Sequence, residues 1–383
     1  MQVIEYIMFR LQKAKIIEDL KQKMVFVVGP RQVGKTTLAL DIAKSFANPQ
    51  YLNYDQIAGR QIIEKQSWLV KTDLLILDEI HKMPNWKKYL KGIYDAKPST
   101  LQIIVTGSAR LDTYKNMGES LAGRFFVHHL MPFSLFEIKA TKAPQSLEDL
   151  LIRGGFPEPL FAENEDAANR WRYQYVNSMV REDILDFAKI GDIKVMGYLF
   201  ELLRDRVASP ISYTALAEDL KIAPNTVIKY IEILEALYIV FRITPFSKNI
   251  VRAIQKVPKL YFYDTGLVNG DDGKKLENLA ANSLWQYCYF KRDYLGQNFV
   301  LQYLRDKEGR ESDFAISCNN SIEDLIEIKY SENNIDKNLK YFSEKYNLTA
   351  KQLVLNIKQE YQDKNIEVLS LEKFLQELLV GII

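Results

Sequence analysis

Residues 24–46 read MVFVVGPRQVGKTTLALDIAKSF, and this segment determines how the first part of the chain folds. An apolar run rich in Val, residues 24–28, predicts a short buried strand that ends at a glycine. After a loop, apolar residues recur at helical spacing through TTLALDIAKSF. The segment therefore predicts the order strand, loop, helix.

The loop itself has the composition of a phosphate-binding loop. GPRQVGKTT, residues 29–37, fits the pattern G-x-x-x-x-G-K-[ST] and lies between a strand and a helix, as that pattern requires. Gly29 and Gly34 let the loop amides face phosphate oxygens, toward which the helix also directs its positive end. Lys35 is expected to reach the β- and γ-phosphates, and Thr36 to offer its hydroxyl to Mg²⁺. The alternative is a glycine-rich turn that carries a lysine by coincidence. The expected nucleotide-binding residues are Gly29, Pro30, Arg31, Gln32, Val33, Gly34, Lys35, Thr36 and Thr37.

An acidic pair follows another apolar strand, LLIL, at residues 74–77. Asp78 and Glu79 are thus expected at the carboxyl end of a buried parallel strand, where ligands of open α/β sheets bind. We expect Asp78 to hold Mg²⁺ and Glu79 to be the base that positions or polarises the attacking water. The alternative, two carboxylates that only cap a strand, is common for an isolated Asp-Glu pair.

Further polar residues are candidates for the γ-phosphate end of the site. Thr106 and Ser108 end the apolar strand in LQIIVTGS, where they could sense the γ-phosphate or hold the lytic water, although TGS is also a routine turn. Arg124, with Arg110 as second choice, could stabilise the transition state in cis or from a neighbouring subunit. A structural ion pair is the alternative for this arginine. Because no guanine-reading NKxD motif follows, ATP is favoured over GTP.

The order of predicted elements divides the chain into three parts. Apolar strands that alternate with helices predict an α/β fold for residues 1–145, a parallel P-loop NTPase sheet with helices on both faces. Residues 146–259 are predicted to be a helical linker and a winged-helix-like segment, because a helix, the turn KIAPN, a second helix and a β-rich return follow one another. Residues 260–383 predict a further α/β domain with mixed strands.

The middle part is a weak candidate for nucleic-acid binding. Its second helix offers Asn225, Thr226 and Lys229 but also Glu232 and Glu235. Residues 236–263 contain no acid, so a basic, aromatic-rich wing could contact phosphates without sequence specificity. Solvated charges on an edge strand are the alternative. The basic residues of this wing are Arg242, Lys248, Arg252, Lys256 and Lys259.

The segment ESDFAISCNNSIEDLIEIKYS, residues 311–331, predicts two neighbouring strands with charged residues on one face. Strand alternation places Glu327 and Lys329 side by side, and Asp313 on the adjacent strand can approach Glu327. Two such carboxylates would bind Mg²⁺ or Mn²⁺, with Glu277 from the preceding helix completing the coordination and Lys329 orienting the water. The alternative is a sheet edge with alternating solvent-facing charges.

These motifs together resemble two known families. GPRQVGKTTLA, LLILDEIHKMPNWKKYLKGIYD, IIVTGSARL and SLAGRFFVHHLMPFSLFE are similar to prokaryotic AAA+ superfamily ATPases whose C-terminal half is a domain of unknown function with a restriction-endonuclease-like core. The helix acid, the Asp and the Glu-x-Lys resemble the PD-(D/E)XK nuclease fold of restriction enzymes and Holliday-junction resolvases. The first resemblance implies ATP binding and hydrolysis, but little about biological role. It implies these functions for Gly34, Lys35, Thr36, Asp78 and Glu79.

The composition is that of a folded globular protein. The 383 residues exceed what one core usually serves, and the net charge of +2 gives no overall basic field for nucleic acid. Cys288 and Cys318 form no metal-ligand cluster or disulfide framework, which favours a reducing cytoplasm. No apolar run is long enough to span a membrane. We therefore expect a cytoplasmic protein whose partners are ATP, DNA or another nucleic acid, and further copies of itself.

Overall fold

The computed structural model describes residues 9–107, 121–141, 143–178, 193–247, 257–331 and 334–380. Two compact units form within them. The first lies between Met8 and Met131 and includes Ala236–Tyr238, and the second comprises Pro132–Glu235 and the chain from Ile239 onward. The parts predicted as separate middle and terminal domains thus share one compact unit.

The first unit is built on a five-stranded parallel sheet in the order β2-β3-β4-β1-β5. All residues of β1 and β3 are buried, as expected for strands with both faces covered. The sheet confirms the parallel α/β fold predicted for this part of the chain. Its elements are α1 (Gln12–Asp19), β1 (Met24–Val28), α2 (Lys35–Ala43), β2 (Pro49–Asn53), α3 (Ile57–Lys65), β3 (Leu74–Asp78), α4 (Trp86–Ala96), β4 (Gln102–Thr106) and β5 (Phe125–His129).

The second unit begins with helices and a short hairpin-like pair of strands. Helices α10 and α11 are separated by residues 221–223, and β6 then pairs with β7 in antiparallel fashion. None of the helices in the described part of the chain is long and apolar enough to cross a membrane. The elements are α5 (Leu135–Thr141), α6 (Leu147–Arg153), α7 (Pro157–Leu160), α8 (Glu165–Ser178), α9 (Ile193–Asp205), α10 (Tyr213–Leu220), α11 (Pro224–Ala236), β6 (Val240–Ile243) and β7 (Lys259–Phe262).

The same unit ends in a mixed six-stranded sheet in the order β12-β13-β11-β10-β9-β8. Strands β10, β11 and β13 run parallel, whereas β8, β9 and β12 pair in antiparallel fashion. This sheet confirms the prediction of mixed strands after a helix. The elements are α12 (Asp272–Leu295), β8 (Phe299–Arg305), β9 (Glu311–Cys318), β10 (Ser321–Lys329), α13 (Lys337–Tyr346), β11 (Ala350–Val354), β12 (Tyr361–Asp363), β13 (Ile366–Ser370) and α14 (Leu371–Glu377).

Aromatic packing explains why the middle and terminal parts are one unit. Phe241 of β6 stacks on Trp285 of α12 with ring centroids 4.6 Å apart. Tyr261 of β7 lies against Phe314 of β9 at 5.7 Å. All of the side chains of β7 are buried, so this strand is part of a shared core rather than an exposed wing edge.

Candidate functional site

The phosphate-binding loop lies where β1 ends and α2 begins, as predicted. Gly29 has φ 143° and Gly34 has φ 99°, values that favour glycine. A Cβ atom on Gly29 would lie 2.0 Å from the carbonyl oxygen of Leu130, so the loop follows a path that a side chain would block.

Two buried cations hold the loop. The Nζ atom of Lys35 donates to the carbonyl oxygens of Gly29 at 3.0 Å and Pro30 at 2.5 Å, which places the ammonium within the loop. Arg10 donates to the carbonyl oxygen of Val33 at 2.6 Å and to that of Met131 at 3.0 Å. The loop motif pointed to Lys35, whereas no motif pointed to Arg10, which precedes α1.

Three hydroxyls converge on Asp78 at the carboxyl ends of the strands. Oδ1 accepts from Thr106 at 2.6 Å, and Oδ2 accepts from Thr36 at 2.9 Å and from Tyr51 at 2.7 Å. The predicted residues Thr36, Asp78 and Thr106 are thus assembled. Tyr51, which lies in β2 beside β3, was missed because none of the motifs contains it. Burial is the main reason that the pKa of Tyr51 is raised to about 12, with a smaller contribution from Asp78.

Glu79 follows Asp78 in a conformation that is uncommon for a glutamate. Its φ is 56°, and its backbone N–H donates to the carbonyl oxygen of Thr106 at 3.0 Å. Such a left-handed conformation in a residue other than glycine costs about 1–3 kcal/mol and concentrates at functional sites. The carboxylate lies 3.5 Å from Nζ of Lys82 and 3.6 Å from Nε2 of His81. Burial raises the pKa of Glu79, and the charge of Lys82 opposes that shift.

The structure corrects one proposed role of Arg124. This residue precedes β5, whose Phe125 pairs with Met24 at the start of β1. It therefore lies at the amino end of these strands, whereas the phosphate-binding loop lies at their carboxyl end. Its guanidinium binds both carboxylate oxygens of Asp95, at 2.7 and 3.0 Å. Arg124 therefore cannot serve its own nucleotide site, and only the role in a neighbouring subunit stays a prediction. Ser108 and Arg110 lie outside the described residues.

A second group of charged residues lies in the terminal sheet. Glu277, Glu311, Asp313 and Glu327 form what we name the terminal carboxylate cluster. The antiparallel register pairs Ile326 with Phe314, so the next two residues, Glu327 and Asp313, face each other. Each carboxylate accepts a backbone N–H of the other strand: Asp313 donates to Glu327 at 3.2 Å and Ile328 donates to Asp313 at 3.0 Å.

Burial is the main cause that raises the pKa values of three of these acids, Glu277, Asp313 and Glu327. The pKa of Glu277 is raised to about 8, first by burial and then by the charge of Asp313, while Lys259 opposes the shift. Burial likewise raises the pKa of Asp313, and that of Glu327 well above its usual range. A positive charge nearby would favour the ionised forms of these acids.

That charge comes from two lysines, one of which was not assigned to this site. Lys259 of β7 is only 2% exposed, and its Nζ lies 2.7 Å from Glu311, 3.4 Å from Glu277 and 3.8 Å from Asp313. Lys329 lies 3.0 Å from Glu327, as predicted, and 3.0 Å from Asp336. In the part of the chain that the structure describes, no group of three or more His, Cys, Asp or Glu side chains is placed to hold a metal ion. The metal site predicted at Glu277, Asp313 and Glu327 stays a prediction, and lysine ammonium groups lie beside all three acids: Lys259 beside the first two and Lys329 beside the third.

The basic wing is also altered by these contacts. Arg242 donates to both carboxylate oxygens of Glu235, at 2.8 and 2.5 Å, and to the hydroxyl of Tyr213 at 2.8 Å. Arg242 and Lys259, two of the five basic residues of the predicted wing, thus form ion pairs within the fold. Lys248, Arg252 and Lys256 lie outside the described residues.

Comparison with known proteins identifies three family matches along the chain. The family described as "AAA domain" matches residues 21–139. "Domain of unknown function (DUF8612)" matches residues 144–275, and "Domain of unknown function (DUF4143)" matches residues 272–374.

Curated relatives are distant. An uncharacterized protein of Mycobacterium tuberculosis is 26% identical over 269 residues, which cover 69% of this chain and 60% of the relative. One of Methanocaldococcus jannaschii is 25% identical over 368 residues, which cover 85% of this chain and 80% of the relative. The chain thus spans less than two thirds of the length of the mycobacterial protein.

Two solved structures with some likeness are described as a Walker-type ATPase and a branch migration motor. A Walker-type ATPase of Pyrococcus abyssi is 13% identical, with a TM-score of 0.42 over 68% of this chain and 95% of that one. The RuvB Holliday junction branch migration motor of Thermotoga maritima is 20% identical, with a TM-score of 0.30 over 60% of this chain and 87% of that one. Both scores are too low to assign an overall fold. Residues 21–139 thus combine a match to the AAA domain family with a P-loop on a parallel sheet, and matches to two domains of unknown function follow.

Proposed function

We propose that the region of residues 21–139 binds ATP with Mg²⁺ and hydrolyses it. The observation that carries this proposal is the convergence of Thr36, Thr106 and Tyr51 on Asp78 beside a glycine-lined loop. This is the edge of a parallel sheet where phosphates bind, because loop amides and a helix N-terminus meet there. Oxygen donors of this kind fit Mg²⁺.

Each residue then has a defined task. Lys35 exchanges the carbonyl oxygens of Gly29 and Pro30 for the β- and γ-phosphates, and its charge stabilises the transferred group. Thr36 and Asp78 hold Mg²⁺, which when bound neutralises charge on the β- and γ-phosphates. Glu79 positions and polarises the attacking water, and its raised pKa brings its basicity closer to what a general base needs at neutral pH.

Steady-state ATP turnover tests this proposal. Lys35→Ala should abolish ATP turnover and ATP binding, because it removes the lysine that the motif directs at the phosphates. Lys44→Ala is the matched control, since Lys44 follows the same helix but is 72% exposed and pairs with Asp41. Normal turnover in Lys35→Ala, or equal loss in both variants, would refute the assignment of the loop.

For the second unit we propose a nucleic-acid-binding module governed by the nucleotide state. The order α9, α10, α11, β6, β7, with an isolated bridge between Pro210 and Lys259, supports a winged-helix-like segment. The facing acids and the Glu-x-Lys of β10 support a PD-(D/E)XK-like terminal sheet. Two roles remain for that sheet: cutting with Mg²⁺ or Mn²⁺, and binding without cutting. The ammonium of Lys259 among the acids favours binding.

Incubation with labelled single-stranded, duplex and branched DNA separates the two roles. Binding should be measured with and without ATP, and cutting with Mg²⁺ or Mn²⁺ present. We expect binding without cleavage. Cleavage by the wild type that is lost in Asp313→Ala and Lys329→Ala would establish the nuclease instead, and the absence of any DNA binding would leave protein as the partner.

A further inference from the structure

We propose that Lys259 is the resident cation of the terminal carboxylate cluster and takes the place of the divalent metal that the acids and the Glu-x-Lys pattern predict. The native chain then holds no Mg²⁺ or Mn²⁺ at this cluster. The inference goes beyond ATP hydrolysis and is independent of whether the chain turns over ATP.

The geometry of Lys259 is that of a shared counter-ion. Its Nζ lies within 3.8 Å of an oxygen from each of Glu277, Glu311 and Asp313, which come from α12 and β9. A divalent metal would need these oxygens at about 2.0–2.6 Å from a common centre. The ammonium of Lys259, on a third element, β7, lies among these three carboxylates instead.

Lys259 is held in this position from several sides. Its backbone pairs with Ile243 and also bridges to Pro210, so the lysine cannot shift along the strand. Its ammonium lies 5.4 Å from the ring centroid of Tyr303, and the side chain is 3% exposed. The strand pairing and the three carboxylates together hold the ammonium within the cluster.

Other groups also bind oxygens of the cluster. Glu327 accepts from the backbone N–H of Asp313 and from Lys329, and Lys329 in turn pairs with Asp336. Glu277 accepts from the hydroxyl of Tyr261 at 2.7 Å. The charged groups that face one another here are Glu277, Glu311, Asp313, Glu327, Asp336, Lys259, Lys329 and Arg305.

Acids outnumber cations in that set, so removing Lys259 leaves buried negative charge that attracts a metal ion. Lysine instead of metal also ties β7 to α12 and β9 permanently. The cluster then stabilises the joint between the winged-helix-like strands and the terminal sheet, and this role suits a module that binds without cutting.

Binding of Mn²⁺ to the full-length chain tests the proposal. All variants carry Asp78→Asn and are measured without nucleotide, so that the ATPase site does not contribute. The parent should show no Mn²⁺ binding that depends on Asp313. Lys259→Ala should gain one Mn²⁺ site, at least about tenfold tighter than any residual Mn²⁺ binding by the parent. Adding Asp313→Asn to Lys259→Ala should remove the gained site.

Lys351→Ala is the matched control, because Lys351 also pairs with an acid of the same sheet, Asp324 at 2.5 Å, outside the cluster. No gain of Mn²⁺ binding is expected for it. If Lys259→Ala fails to fold, the milder Lys259→Gln is used, and folding that is restored by Mn²⁺ would support the proposal. Mn²⁺ binding by the parent that is lost with Asp313→Asn would overturn it, as would a folded Lys259→Ala that gains no site.

Discussion

The hydroxyl of Thr106 donates to Oδ1 of Asp78 at 2.6 Å, across the neighbouring strands β4 and β3. Thr106 is fully buried, and Asp78 is 5% exposed. The bond fixes the carboxylate whose other oxygen binds Thr36. Thr106 is thus a positioning residue for the predicted metal ligand.

Thr106→Val keeps the shape of the side chain but removes this donor. Loss of a partner at a buried carboxylate costs about 1–3 kcal/mol. We therefore expect a lower free energy of unfolding and a higher Mg²⁺ concentration for half-maximal ATP turnover. ATP turnover measured across Mg²⁺ concentrations checks this expectation. Thr106→Ser, which keeps the hydroxyl, should give the wild-type curve. An unchanged curve for Thr106→Val would mean that Tyr51 and Thr36 suffice.

Gly29→Ala should destroy the phosphate-binding loop by collision with Leu130. Strain of this size displaces the loop, so we expect loss of ATP binding and destabilisation of about 1–3 kcal/mol. Gly123→Ala separates the collision from the φ effect, since Gly123 also has positive φ (77°) but open space around it. Fluorescent-nucleotide binding and thermal unfolding measure both. Equal effects in the two variants would contradict the steric account.

Arg124→Ala tests whether the arginine serves a neighbouring subunit. We expect ATP binding to persist while turnover falls by roughly 10³-fold, the scale of arginine-finger losses. Mixing Arg124→Ala with Lys35→Ala should restore part of the turnover, because a mixed assembly contains intact sites. Wild-type turnover in Arg124→Ala at all protein concentrations would leave only the ion pair with Asp95.

The raised pKa of Asp264 leads us to expect that the stability of the second unit depends on pH. This acid is 1% exposed and accepts from the N–H of Gly155 at 2.8 Å, and burial raises its pKa to about 7 although backbone amides oppose the shift. The folded state thus holds this proton more tightly than the unfolded chain, whose Asp pKa is about 4. The resulting stability is complete below about pH 4 and is lost as the pH rises through about 7.

Thermal unfolding between pH 5 and 8 should therefore show falling stability in the wild type and a flatter profile in Asp264→Asn, which can still accept from Gly155. Asp306→Asn is the control, since Asp306 pairs with Arg310 and has a lowered pKa. An identical slope in Asp264→Asn and the wild type would show that other groups cause the dependence.

Much of the candidate nucleotide site could be predicted because its determinants are local. The loop residues from Gly29 to Thr37 are contiguous, and Asp78 and Glu79 directly follow an apolar strand. The approach of Asp313 to Glu327 agrees with strand alternation, but it also needed the two strands to be neighbours in the observed register.

By itself the sequence determined the parallel α/β fold of the first unit, the P-loop and the acid pair, because each depends on spacing along one segment. Only the tertiary structure decided that Tyr51 binds Asp78 and that Lys259 lies among the terminal acids. It also decided that Arg124 lies at the end of its strands opposite the phosphate-binding loop. Those contacts depend on strand direction and on packing between residues distant in the chain. A buried lysine and a solvated one look alike in sequence, since only the folded surroundings determine which charges meet.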